Sequence, residues 1–84
     1  MKKLLYIYTT WCRPCIHIKK TVIEPLVEAI GSDRVIFIDA EVEHGYVKKY
    51  RIYKVPTLII VDDGDYELNV DGLSAEKIKE LLEQ

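Results

Sequence analysis

The only two cysteines of this chain lie three positions apart, in the segment Trp11-Cys12-Arg13-Pro14-Cys15. In a small protein this spacing indicates a dithiol that opens and closes. A disulfide between them closes a loop of only four residues, which on the loop-entropy account stabilises a fold by about 2 kcal/mol. The pair is therefore better suited to chemistry, in which one thiol attacks a substrate disulfide and the other resolves the mixed disulfide.

The residues after the cysteines predict a helix that would activate the first thiol. Apolar residues recur at intervals of three and four across Cys15–Ile30, and Gly31 follows as a helix end. The unpaired N–H groups and the positive dipole end of a helix that starts here favour a thiolate at Cys12, and Arg13 adds a neighbouring cation. A pKa lowered from about 8.5 to about 7 raises the thiolate fraction at pH 7 from roughly 3% to about half. We therefore predict that Cys12 is the nucleophile and Cys15 the resolving thiol.

The rest of the chain predicts the elements that would hold this pair in place. Apolar runs predict four strands, at Lys3–Thr10, Arg34–Glu41, Leu58–Val61 and Tyr66–Val70. Helical spacing predicts three helices, at Cys15–Ile30, at Glu43–Tyr50, and from a Ser74 cap to Leu82. Pro25 should kink the first helix near residues 21–24, because it removes a backbone donor. The order β-α-β-α-β-β-α predicts an α/β fold with a four-stranded mixed sheet.

Length and composition limit what else the chain can be. Its 84 residues predict one domain, over residues 1–84. A charged fraction of 31% and a net charge of -2 lack the basic excess of nucleic-acid binders, so no nucleic-acid partner is expected. The apolar run after Met1-Lys2-Lys3 is too short for a signal peptide, and no stretch has the length of a membrane span. We therefore expect a cytoplasmic protein, and we expect a monomer. In a reducing compartment a pair of thiols is more often catalytic than structural.

A structural cysteine pair, or half of a zinc site, is the alternative to a catalytic dithiol. Structural zinc usually takes four protein ligands, and only His17 and His44 remain to complete a set, without the paired spacing of zinc sites. Ile16, and not a histidine, follows Cys15, so the haem attachment motif is absent. We expect neither a metal nor a cofactor.

Three segments resemble motifs of the thioredoxin family, in the same order. Trp11-Cys12-Arg13-Pro14-Cys15 resembles its W-C-x-P-C active site, the segment Tyr50–Leu58 resembles its Y-x-I-x-x-[IV]-P-T-L pattern, and Asp71-Gly72-Leu73-Ser74 is similar to its G-x-x-S bend. The resemblance covers essentially the whole chain, which begins at what would be the second strand of a full-length thioredoxin. It implies a minimal thioredoxin fold, protein disulfide substrates, and a reductase-type electron donor or glutathione.

The resemblance also implies a substrate surface around the dithiol. It implies that the Val55-Pro56 bond is cis and lies against the cysteines, with the Val55 backbone open to an extended peptide. Trp11 would offer a flat apolar contact, or would be a half-buried aromatic without a role in recognition. The implied substrate-binding residues are Trp11, Arg13, Pro14, Val55, Pro56 and Gly72. Five cations form either a basic rim around this surface or only a solvated face: Arg13, Lys48, Lys49, Arg51 and Lys54.

The chain departs from the family pattern at three positions. Tyr6 stands where thioredoxins have a buried aspartate that is thought to deprotonate the resolving thiol, and Val35 stands near the position of its lysine partner. Lys20 replaces the usual proline five residues after the second cysteine. Proton transfer would then go through water, through Tyr6 or to the departing substrate thiolate.

Two other functions remain open at this point. A glutathione-dependent, glutaredoxin-like protein would suit the short chain, but Arg13-Pro14 differs from the usual C-P-Y-C pattern and residues 70–73 lack paired glycines. A non-catalytic module that uses the fold only for docking is the second. Replacement of both cysteines by serine would spare function only in the docking case.

Overall fold

The computed structural model describes residues 1–84, and its elements follow the predicted order. The strands are β1 (Lys3–Tyr8), β2 (Val35–Asp39), β3 (Thr57–Val61) and β4 (Glu67–Asn69). The helices are α1 (Arg13–Ile18), α2 (Glu24–Ile30), α3 (His44–Lys49) and α4 (Ala75–Glu83). Strand ends differ from the prediction by one or two residues, which is the usual uncertainty where hydrogen-bonded pairing stops.

The strands form one mixed sheet in the order β2-β1-β3-β4. β1 pairs with β2 in parallel, while β1 with β3 and β3 with β4 are antiparallel. The parallel pair needs a crossover, which the helical run between β1 and β2 supplies, and the antiparallel pair β3 and β4 needs only a turn. The predicted α/β fold with a four-stranded mixed sheet is confirmed.

Alternation along β1 divides the core into two layers. Leu4 and Tyr6 point to the face covered by α2 and α4, and Leu5 and Ile7 point to the face that Tyr46 of α3 covers. Successive side chains of a strand point to opposite faces, so a central strand covered on both sides reads as a continuous apolar run. β1 is thereby held rigidly at the point where the chain leaves it for the cysteines.

The first helix changes its type of turn just before Pro25, in the region where a kink was predicted. α1 and α2 form one continuous helical run that is joined by a π-helical segment, Lys19–Ile23, and Pro25 lies in the first turn of α2. Pro25 has no N–H for the carbonyl four residues earlier, and wider π-type hydrogen bonds accommodate that loss. Gly31 ends the run at φ 92°.

β2 is less buried than its apolar sequence suggested. Val35 and Ile38 are buried, but Phe37 is 41% exposed. The apolar run at this strand favoured burial, but β2 is only partly buried because it lies at the edge of the sheet with one neighbour only. Arg34, predicted to begin this strand, lies instead in a 3₁₀ turn, and its guanidinium donates to the backbone oxygens of Lys2 and Leu82.

No helix has the length and apolar character needed to cross a bilayer.

Candidate active site

The cysteines lie at the junction between β1 and α1. Cys12 is the N-cap of α1, with extended backbone angles, and its Sγ accepts a hydrogen bond from the backbone N–H of Cys15 at 3.1 Å. Their Cα atoms are 5.2 Å apart and the sulfurs form a disulfide. A sulfur at the N-cap faces the free N–H groups of the first helical turn, which favour negative charge. After reduction, the same geometry would stabilise a thiolate at Cys12.

The two sulfurs differ in what they face. Cys12 borders an open groove of about 760 Å³, and Cys15 does not. Cys15 is 1% exposed and Cys12 is 5% exposed. A partner that lies in the groove therefore meets Cys12 first.

The groove gathers most of the residues that the sequence singled out. Trp11, Arg13, Pro14 and Val55 line it beside Cys12. Several further lining residues were not predicted from the sequence, and Lys54 was predicted only as part of a basic rim. The remaining lining residues are Ala40, Val47, Ile52, Tyr53 and Lys54. The signal that points to three of these residues is their position directly before Val55-Pro56.

Pro56 and Gly72 lie outside this groove, in a smaller one of about 200 Å³ that adjoins it. Val55 and Lys54 belong to both grooves. The Val55-Pro56 peptide bond is cis, as the family resemblance implied. Gly72 has φ 81°, a left-handed conformation that favours glycine. The candidate substrate surface thus consists of two grooves that meet at Val55.

Trp11 is held by its edge and exposed on its face. Its Nε1 donates to Glu41 Oε1 at 2.9 Å, and the residue is 68% exposed. This exposure excludes a half-buried aromatic, and the flat indole remains open to a partner. Glu41 was missed because it lies 30 residues along the chain, in the loop after β2, and nothing in its local sequence marks it.

Tyr6 contacts the redox centre through the backbone. Its hydroxyl donates to the carbonyl oxygen of Cys15 at 2.7 Å. Burial, and to a smaller extent the neighbouring Tyr8, raises the pKa of Tyr6 above its ordinary value. Tyr6 and Tyr8 also line a cavity of about 240 Å³ that borders Cys15 and shares no lining residue with the main groove. Near neutral pH Tyr6 therefore keeps its proton and holds the first turn of α1.

The residues that could have completed a metal site do not gather around the cysteines. His17 and His44 are both exposed, and His44 Nε2 lies 2.8 Å from the backbone oxygen of Glu41. No group of three or more His, Cys, Asp or Glu side chains is arranged to hold a metal ion.

Comparison with known proteins agrees with this geometry. The sequence profile of the thioredoxin family matches residues 1–84. The chain is 29% identical to a thioredoxin of Staphylococcus epidermidis over 98% of this chain and 80% of that protein, and 28% identical to one of Staphylococcus aureus over the same shares.

Solved structures extend the likeness to the fold. Chloroplastic thioredoxin z is 28% identical, with a TM-score of 0.75 over 100% of this chain and 77% of that one. A mutant thioredoxin from Halobacterium salinarum is 30% identical, with a TM-score of 0.70 over 98% of this chain and 72% of that one. The resemblance seen in three sequence motifs is confirmed, and the chain belongs to the thioredoxin family of thiol-disulfide oxidoreductases.

Proposed function

We propose that the protein, acting as a single domain over residues 1–84, reduces disulfide bonds in other proteins through Cys12 and Cys15. The observation that carries this proposal is a disulfide at the start of a helix, of which only Cys12 borders an open, mainly apolar groove. Trp11 and Val55 flank this sulfur on the groove wall, so that an extended segment of a substrate can lie across it.

The reaction proceeds by two exchanges. The Cys12 thiolate attacks one sulfur of the substrate disulfide, forms a mixed disulfide, and releases the other substrate sulfur as a thiolate. Cys15 then loses its proton and attacks Cys12 Sγ, which forms the Cys12-Cys15 disulfide and releases the second substrate thiolate. The substrate gains two electrons and two protons, and the protein loses them.

The proton of Cys15 leaves by water in this proposal. Tyr6 is a poor carrier because its hydroxyl is bonded to the Cys15 carbonyl oxygen and its pKa is raised. The cavity of about 240 Å³ that Cys15 borders is large enough to admit water. Water in this cavity would accept the Cys15 proton, which is the role that a buried aspartate would otherwise have.

A trapping experiment tests the two roles. In Cys15→Ser the mixed disulfide has no resolving thiol, so a covalent adduct with a disulfide-bonded protein such as insulin should accumulate at Cys12. The matched variant Cys12→Ser should form little or no adduct, because Cys15 does not face the groove. Equal trapping by both variants, read by non-reducing electrophoresis and mass spectrometry, would contradict the assignment.

We also propose that a thioredoxin-reductase-type enzyme donates the electrons and that the protein acts in the cytoplasm. Reduction of insulin, driven in turn by a thioredoxin reductase and by glutathione with glutathione reductase, separates the donors. Support by glutathione alone would favour the glutaredoxin-like alternative. Activity that survives Cys12→Ser combined with Cys15→Ser would favour the docking module.

A further inference from the structure

The charges of the chain are unevenly distributed along the wall of the groove. The segment of residues 44–61 carries four lysines or arginines and no aspartate or glutamate. The remaining residues carry 14 carboxylates against eight lysines or arginines, for a net charge of -6. This segment runs through α3, the loop before Pro56 and β3. It supplies five of the ten residues that line the groove, which are Val47, Ile52, Tyr53, Lys54 and Val55. A protein that is acidic overall therefore presents a cationic wall beside its reactive sulfur.

The groove itself contains two cations and no carboxylate. Arg13, next to Cys12, and Lys54, next to Val55, both line it. Arg51 lines an adjoining groove together with Ile52, Tyr53 and Lys54, and Lys48 directly follows the lining residue Val47. Lys48 and Arg51 are both exposed. Two cations therefore stand in the groove, and two more belong to the segment that forms its wall.

Two carboxylates that contact groove residues, Glu41 and Asp71, already have hydrogen-bond partners. Glu41 accepts from the Trp11 indole. Asp71 lies 3.5 Å from Lys54 Nζ, but it also accepts from the backbone N–H of Leu58 and from the amide of Asn69. The Lys54 side chain remains 72% exposed beside it. Lys54 is therefore still available to a second carboxylate from a partner.

We propose that the groove selects protein disulfides flanked by aspartate or glutamate. The inference rests on the proposed function, because it concerns which substrates reach Cys12. An extended segment across Val55 would bring its flanking carboxylates near Arg13 and Lys54, and the exposed Lys48 and Arg51 would add to the positive potential of the same wall. Charges at the rim of an interface mainly raise the rate of productive encounter, and salt screens them.

The test uses two disulfide-bonded peptides of one length that differ only in the residues flanking the cystine, glutamate in one and lysine in the other. Dithiothreitol regenerates the protein, so no reductase is needed, and its own background rate is subtracted. We expect kcat/KM to be about tenfold higher for the acidic peptide at about 0.01 M salt. At about 1 M salt the two values should agree within about twofold, because the screening length is then about 3 Å.

Charge reversal locates the effect. The double variant of Lys48→Glu and Arg51→Glu should lower the preference for the acidic peptide to about twofold or less at low salt. The matched variant of Lys77→Glu and Lys79→Glu makes the same change of charge on α4, which packs against α2 away from the groove, and should keep the preference. A loss of preference in both variants would overturn the inference, since net charge and not the groove would then be responsible.

The outcomes separate this inference from the proposed function. Equal reduction of both peptides at low salt would overturn the acidic preference and leave the reductase activity standing. Reduction of neither peptide would contradict the proposed function and the inference with it. A preference that persists unchanged in high salt would also overturn the inference, because it would not be electrostatic.

Discussion

The Tyr6 hydroxyl donates its only proton to the Cys15 carbonyl oxygen, at the point where the resolving thiol sits on the first turn of α1. Thioredoxins place a carboxylate at this position, and a phenol with a raised pKa cannot act as its substitute near neutral pH. The hydroxyl instead links β1 to the first turn of α1 by a hydrogen bond. The replacement of the family's aspartate by Tyr6 is visible in the sequence. The role of the Tyr6 hydroxyl is not, because its hydrogen bond to Cys15 depends on how β1 and α1 pack.

Replacement of Tyr6 by phenylalanine tests this role. Tyr6→Phe should slow turnover of a protein disulfide less than tenfold and should lower the free energy of unfolding by about 1 kcal/mol, the usual worth of one hydrogen bond. Steady-state kinetics and urea unfolding give the two values. A hundredfold loss of turnover would instead make the hydroxyl a proton carrier.

The raised pKa of Tyr6 also predicts a dependence of stability on pH. The unfolded chain loses the phenolic proton near pH 10.0, whereas the folded protein retains it to higher pH. The stability linked to this group is therefore complete below pH 10.0 and declines as the pH rises above it. In urea unfolding of the oxidised protein, the advantage of wild type over Tyr6→Phe should shrink above that pH, and an advantage that grows there would contradict the shift.

Thr9 carries a buried hydroxyl oxygen without a hydrogen-bond partner, in the turn that leads to Cys12. Burial of an unpaired hydroxyl is unfavourable, and valine has nearly the same shape without that group. Thr9→Val should therefore leave the oxidised protein equally stable or raise its free energy of unfolding by about 1 kcal/mol. A loss of more than about 2 kcal/mol in urea unfolding would show that the hydroxyl has a partner in solution.

At the scale of elements, local pattern was enough for the order of strands and helices and for an irregularity of the first helix near Pro25. It was not enough for the exposure of β2, since an apolar run such as Val35–Ile38 does not say which strand lies at the edge of the sheet. The cysteines and their neighbours Trp11 and Val55 were found from sequence because they belong to motifs. Tyr53 was missed because it stands at a variable position of the Tyr50–Leu58 motif, and Glu41 because it belongs to no motif. Only the folded chain places Tyr53 on the groove and Glu41 against Trp11.

The cap of α4 offers a prediction for an element remote from the chemistry. Ser74 Oγ accepts from the backbone N–H of Lys77 at 3.1 Å, and α4 packs its buried Ile78 and Leu82 into the core. Ser74→Ala should lower the free energy of unfolding by about 1 kcal/mol. Ser32 is a matched control because it makes no capping hydrogen bond, and Ser32→Ala should change stability by no more than about 0.5 kcal/mol. Equal effects of the two substitutions in urea unfolding would contradict the assigned cap.

At the scale of the whole molecule, a small domain concentrates its function at one end of its sheet. β1 contributes side chains to both core layers and ends shortly before Cys12. The loops after β2 and before β3 form the other walls of the groove. Arg34 fastens the opposite end, since it joins the backbone of Lys2 to that of Leu82. The rigid sheet therefore fixes where α1 begins, and this position puts free N–H groups beside one sulfur.

Alkylation of the Cys15→Ser protein by iodoacetamide across a range of pH measures the ionisation of Cys12 alone, because Cys12 is then the only thiol in the chain. We expect the rate to reach half of its maximum at about pH 7, well below the pKa of about 8.5 of an ordinary cysteine. A midpoint at about 8.5 or higher would contradict this expectation, because the start of α1 would then give Cys12 no advantage as a nucleophile.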